Sequence, residues 1–180
     1  NAVIYANSVL GARTLKIPDY LDLFVAMTGR APYCGTYADS GRQARRIVEL
    51  AAVPTDVDDG FWPLLGWVLG KLSPDRIPLL RGLEEMNVDD DAMKAICAAF
   101  GSTSGAPMLH IAGHTPEAGM PSAPAADRVT IDREMLADAW RQLNSGGADI
   151  DLVAIGSPHL SLAELHLIDA AFDGRHRHAD

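Results

Sequence analysis

Short apolar runs alternating with amphipathic helical stretches constrain this 180-residue chain more than any other feature. Runs that are apolar on both faces must be covered on both sides, as in sheets of parallel strands layered with helices. Arg45–Val53, which ends at Pro54, and Ile150–Ile155 read as such strands, and Met108–Ala112 as another. Arg76–Leu80 reads as a short strand that Pro78 restricts to a sheet edge. Between these runs lie helical patterns. Pro18–Thr28 has proline at an early helical position, Leu21, Phe24, Val25 and Thr28 on one face, and Gly29 as a stop. Phe61–Leu72 reads as a short buried helix in which Gly66 and Gly70 leave room for a close neighbour. Val88–Phe100 opens on Asp89, Asp90 and Asp91, where the helix dipole favours negative charge, and carries a stripe of Met93, Ile96, Cys97 and Phe100. Ile131–Leu143 and Leu162–Phe172 complete the helices. The alternation predicts an α/β chain, a layered α/β/α domain with a mostly parallel sheet.

Composition narrows the function classes. With 48% apolar residues the chain can build a core. A net charge of -9 argues against a nucleic-acid backbone as partner, since that needs Lys and Arg to displace counterions. The longest apolar run, Phe61–Leu69, is broken by Pro63 and Gly66 and falls short of the roughly 20 residues that a membrane span needs. Two cysteines without a CxxC pattern, Cys34 and Cys97, fit a reducing, cytoplasmic setting rather than a disulfide scaffold. The two together are too few for the thiolates that an iron–sulfur cluster usually takes.

Several stretches carry polar groups where chemistry could reside. In LVAIGSPHLSLAEL, Leu152–Leu165, a strand runs into a turn and then a helix. Ser161 and Glu164 form a capping box there, so the Gly156–Leu160 turn faces free N–H donors at a helix start. The plain alternative is a capped helix after a proline-stiffened turn. GSTSGAP, Gly101–Pro107, is a hydroxyl-rich segment, read here as a loop able to wrap an anion or as an ordinary polar connection; no Gly-Lys-Ser/Thr follows, so it is not a P-loop. In ANSVLGARTL, Asn7, Ser8, Arg13 and Thr14 lie among apolar residues, forming either an internal network or a binding site. Arg13 stands out because a guanidinium forks onto a carboxylate. His110 and His114 read as structural histidines, Cys97 as core, PEAGMPSAPAAD as a surface loop, and GRHRHAD, residues 174–180, as a frayed tail.

Four stretches join these pieces. NAVIYANSVLGART, DYLDLFVAMTGRAP, GSTSGAPMLHIAGHTPEA and AIGSPHLSLAEL, in this order, resemble the large catalytic part of the aconitase X family. The resemblance implies an α/β/α domain of aconitase type and an internal segment of a longer polypeptide. It implies a dehydratase that removes water from cis-3-hydroxy-L-proline or mevalonate 5-phosphate with the help of an iron–sulfur cluster. The partners it implies are a small carboxylate substrate, and either the remaining parts of an aconitase X chain or a small swivelling-domain subunit.

Two cluster cysteines of the family lie outside this segment, one upstream and one downstream. The third belongs where this sequence has Ser157, in a turn that usually reads Gly-Cys-Pro-His. Serine oxygen is far harder to deprotonate than a thiol, so this position is a departure, open to an engineered substitution, to a natural variant with a modified or weakened cluster, or to a non-catalytic member that has lost it. A second departure is Tyr37 in GTYADSGR. It and the Ala/Arg/Asp-rich composition favour cis-3-hydroxy-L-proline. By resemblance Ser8, Arg13 and Ser104 are expected to be catalytic. Asn7, Thr14, Ser102, Thr103 and His159 are expected to bind substrate, and Ser157 to stand at the metal.

Overall fold

A computed structural model describes residues 2–51, 57–147, 149, 151–152, 160–173 and 175. Two units are distinguished, residues 1–144 and 145–180.

Among the described residues the first unit holds five α-helices and four strands: α1 (Ala2–Ser8), α2 (Asp19–Thr28), β1 (Arg46–Leu50), α3 (Phe61–Leu72), β2 (Pro78–Arg81), α4 (Asp90–Thr103), β3 (His110–Ile111), β4 (Asp127–Ile131) and α5 (Arg133–Leu143). The strands form one all-parallel sheet in the order β3-β2-β1-β4. Register sets the two faces. Val48, Leu80 and Ile111 are aligned across the sheet and join a core with Leu65, Leu69, Ile96, Cys97 and Phe100 from α3 and α4 and Leu136 from α5. Ile47, Leu79 and His110 share the next register and, by alternation, the opposite face.

The helices form where their signals lie. α2 starts after Pro18 and ends at Gly29, whose φ of 63° is the left-handed conformation that glycine adopts without strain. Asp89 caps α4 by accepting from the Ala92 N–H at 2.8 Å, and Asp132 caps α5 through the Met135 N–H at 2.8 Å. The glycines of α3 admit α4 at close range. A Cβ on Gly66 would stand 2.9 Å from the Ile96 Cα, and one on Gly70 would stand 2.8 Å from the Phe100 carbonyl oxygen.

Three expectations are corrected. β2 lies inside the sheet, between β3 and β1, and not at an edge. Pro78 is its first residue, where the missing N–H costs no ladder bond. Ser102 and Thr103 belong to the last turn of α4 rather than to a loop. Asp127–Ile131 is a strand, so the helix expected from Ile131 begins two residues later. Its charged, alternating pattern fits an edge strand that is wet on one side, and Arg46 of β1 binds Asp127 across the ladder at 2.8 Å.

The second unit contains α6 (Leu162–Phe172), with the Ser161–Glu164 capping box formed as expected. The expected strand Ile150–Ile155 falls mostly outside the described residues, as do Ser157, His159 and most of the tail. Among the described residues no helix is long and apolar enough to cross a membrane.

Candidate functional site around Arg13

The chain reverses after α1 through Gly11, whose φ of 66° only glycine holds without strain. Asn7 closes that reversal. Its Oδ1 accepts the Thr14 N–H at 2.9 Å, and its amide donates to the carbonyls of Thr14 at 2.9 Å and Pro107 at 3.1 Å. The buried Ser8 hydroxyl accepts the Leu109 N–H at 3.0 Å, and Thr36 donates to the Thr14 carbonyl at 2.5 Å. The buried polar side chains of Asn7, Ser8 and Thr36 are therefore paired, and the segment that carries Arg13 is held from several sides.

Beneath it lies Arg42, whose side chain is 0% exposed. Its Nη1 donates to the carbonyls of Ala12 and Thr36, both at 3.1 Å, and Nη2 donates to that of Asn7 at 2.9 Å. Nε donates to Glu117 Oε2 at 2.5 Å, and Nη2 pairs with the same oxygen. All five N–H groups of the guanidinium are thus directed at acceptors. The Arg42 carbonyl takes a further bond of 2.7 Å from His110 Nε2. A carbonyl can only accept, so Nε2 carries the proton and the buried Nδ1 is left with no partner. Burial holds the His110 imidazole below its ordinary value; the bond to Arg42 and the nearby Glu117 act the other way.

Arg13 reaches the surface above this base. Nη1 donates to the Tyr37 carbonyl at 2.9 Å, while Nη2 pairs with Asp39 Oδ1 at 2.5 Å and Glu117 Oε1 at 3.4 Å. The Asp39 bond holds the Arg13 guanidinium above its ordinary value, so its positive charge is secure. Asp39 belongs to the second of two short 3-10 turns, Gly35–Tyr37 and Asp39–Gly41. These turns touch through glycine: a Cβ on Gly41 would stand 2.9 Å from the Gly35 Cα.

The structure thus brings Asn7, Ser8, Arg13 and Thr14 into one bonded neighbourhood. Of the other hydroxyls, that of Ser102 stays within α4, while those of Thr103 and Ser104 tie the end of α4 to α3 and to the residue that ends it. Ser102 donates to the Ala99 carbonyl at 2.6 Å and Thr103 to that of Trp67 at 3.0 Å. Ser104 donates to the Ser73 carbonyl at 2.6 Å and accepts the Ala106 N–H at 3.1 Å. Arg42, Glu117, Asp39 and Thr36 escaped the sequence reading. Arg42 and Glu117 are 75 positions apart, and no local pattern links them. One signal was present: Glu117 is the lone carboxylate in an otherwise acid-free stretch, residues 112–126.

Among the described residues no three His, Cys, Asp or Glu side chains gather where they could hold a metal ion. Cys34 is exposed, and Cys97 is buried with its thiol pushed up to about 12 by desolvation, which disfavours the thiolate a metal needs. The described residues therefore do not fit an iron–sulfur cluster.

Comparison with known proteins follows the same lines. Residues 44–141 match the aconitase X second domain and residues 1–40 the aconitase X first domain. A Pseudomonas aeruginosa protein named cis-3-hydroxy-L-proline dehydratase is 45% identical over 100% of this chain, and a Hypocrea jecorina protein of the same name is 43% identical over 99%. The chain spans 32% and 31% of their respective lengths. The phosphomevalonate dehydratase large subunit of Methanocaldococcus jannaschii is 30% identical over 100% of the chain, which spans 46% of that protein. The crystal structure of Thermococcus kodakaraensis aconitase X in its holo-form superposes with a TM-score of 0.80 at 29% identity, covering 96% of this chain and 44% of that one. With both domain types matched in order and the fold shared, the chain belongs to the aconitase X family.

Proposed function

We propose that the protein containing this chain is a hydro-lyase acting in the cytoplasm on cis-3-hydroxy-L-proline, and that Arg13 holds the substrate carboxylate. The observation that carries the reading is the 45% identity to a cis-3-hydroxy-L-proline dehydratase along the whole chain, against 30% for the phosphomevalonate dehydratase subunit. Geometry supports the choice of Arg13. Its side chain is 39% exposed, yet its segment is anchored on the wholly buried Arg42. Preorganisation of this kind lets a donor act without rearranging.

Removing water from a hydroxy acid requires loss of a proton alpha to the carboxylate, and negative charge then spreads onto the carboxylate oxygens. A guanidinium fixed against them stabilises that charge as it develops. Asn7 and Thr14 contribute by holding the Arg13 loop. Ser8, Ser102, Thr103 and Ser104 are proposed as positioning groups, since each hydroxyl already bonds to the backbone. The iron–sulfur cluster implied by the resemblance is proposed for the longer polypeptide, with Ser157 at the family's cysteine position and the other ligands from outside this chain.

The test is turnover by the full-length protein, offered cis-3-hydroxy-L-proline and mevalonate 5-phosphate in parallel. The expected result is water loss from the hydroxyproline alone, with Arg13→Met lowering kcat/KM roughly a hundred-fold, as loss of a fixed anion donor does. Turnover of mevalonate 5-phosphate instead would overturn the substrate. Inactivity on both that persists in Ser157→Cys would mark a non-catalytic member.

A further inference from the structure

Three acceptors share the Arg13 guanidinium, and they differ in how firmly each is held. The Tyr37 carbonyl is main chain. Glu117 is 21% exposed and its second oxygen is committed to Arg42, so it stays. Asp39 is 74% exposed, and among the described residues its carboxylate pairs with no side chain but that of Arg13. Its backbone is braced by the Gly35–Gly41 contact, which leaves a side-chain rotation as the motion that frees Arg13.

Charge counting points the same way. Arg42 and Arg13 carry two positive charges, and Glu117 and Asp39 two negative ones. With Glu117 drawn onto the buried Arg42, Asp39 is the counter-ion of Arg13. An incoming carboxylate added to this balanced set would leave a surplus negative charge beside a partly buried cluster. One that takes the place of Asp39 would keep the balance.

We infer that Asp39 is a built-in competitor for the carboxylate site, occupying the outer edge of Arg13 until a ligand carboxylate displaces it, while Glu117, fixed by Arg42, keeps the guanidinium aimed. This inference rests on the reading that Arg13 takes a carboxylate, and it adds a specificity element to it. The site suits one carboxylate per guanidinium. The ligand exchanges one ion pair for another, so Asp39 weakens ligand binding and leaves Arg13 paired between turnovers.

The experiment uses the full-length protein, unaltered and as Asp39→Asn, which keeps the shape and removes the charge. Arg13 is labelled with phenylglyoxal and quantified by peptide mass spectrometry, against rising cis-3-hydroxy-L-proline and, separately, propionate. An exposed ion pair of this kind corresponds to a factor of about two to five in affinity, so half-protection of Arg13 is expected at a two- to five-fold lower carboxylate concentration in Asp39→Asn. Asp39→Ser is expected to shift in the same direction.

An equal or higher concentration in both variants would overturn the inference, as would an Arg13 that neither carboxylate protects. Protection by propionate and not by cis-3-hydroxy-L-proline, with the shift preserved, would support the Asp39 role and overturn the proposed substrate. Normal hydroxyproline turnover without any shift would do the reverse.

Discussion

Arg42 shows what one buried charge does when every donor is matched. Its guanidinium staples the end of α1, the Ala12 carbonyl, the first 3-10 turn and the 112–126 stretch through Glu117. Removing it strands three carbonyls and a carboxylate, and breaking a buried pair costs roughly 3–5 kcal/mol. Arg42→Met should lose stability on that scale in urea unfolding. Arg42→Lys should recover only part of it, because an ammonium cannot reproduce the planar fork. His110, bonded to the Arg42 carbonyl, supplies a pH-dependent counterpart. Its folded value lies below the ordinary 6.5 because burial disfavours the imidazolium; the bond to the Arg42 carbonyl and the Glu117 charge work against that shift, and the Arg42 charge adds to it. The unfolded chain therefore takes up a proton first. Stability from this residue is whole above 6.5 and is lost as pH falls from there towards the depressed value. Thermal melts across that window should show the slope, and His110→Gln should flatten it.

At the scale of elements, the α3–α4 contact is the tightest joint between helices. Exchanging glycine for alanine inside a helix normally gains about 1 kcal/mol of propensity. Here the added methyl would meet backbone, the Ile96 carbonyl group at Gly66 and the Phe100 carbonyl at Gly70, and neither can swing aside as a side chain can. Overpacking of this kind costs roughly 1–3 kcal/mol, so Gly66→Ala and Gly70→Ala should both lower the melting temperature despite better helix propensity. The α4 cap is the contrasting case. Asp89→Ala removes one bond to the Ala92 N–H and should cost about 1 kcal/mol, without disturbing the joint. Both features were visible as residues in the sequence, Asp89 as one of three aspartates at the helix start and the glycines by their recurrence on one helix. What the sequence lacked was the identity of the neighbour.

Across the whole molecule, the two cysteines report opposite environments. Cys34 is exposed, whereas Cys97 sits in the core that α3, α4 and the sheet share, with its thiol at about 12. A thiol reagent should titrate one cysteine rapidly in the native chain. The second should react only at the rate of global opening and immediately in denaturant, followed by the absorbance of the thionitrobenzoate released. Chain-local information settled a good part of the architecture. Period, caps and stop residues located α2, α3, α4 and α6 to within a few residues, because those signals act between neighbours three or four positions apart. The order of strands lies beyond that range: Pro78 by itself points to an edge, yet its strand is interior, since only pairing decides which strand lies beside which. The site divides in the same way. Asn7, Ser8, Arg13 and Thr14 were legible as polar residues in an apolar stretch. Asp39, Arg42 and Glu117 were not, because their meaning is the ion pairs they make across loops distant in sequence. The sequence by itself determined which segments become helices and which arginine stands among apolar neighbours; tertiary structure decided what stands against that arginine, because complementary charges far apart in the chain meet only once the sheet has brought their loops together.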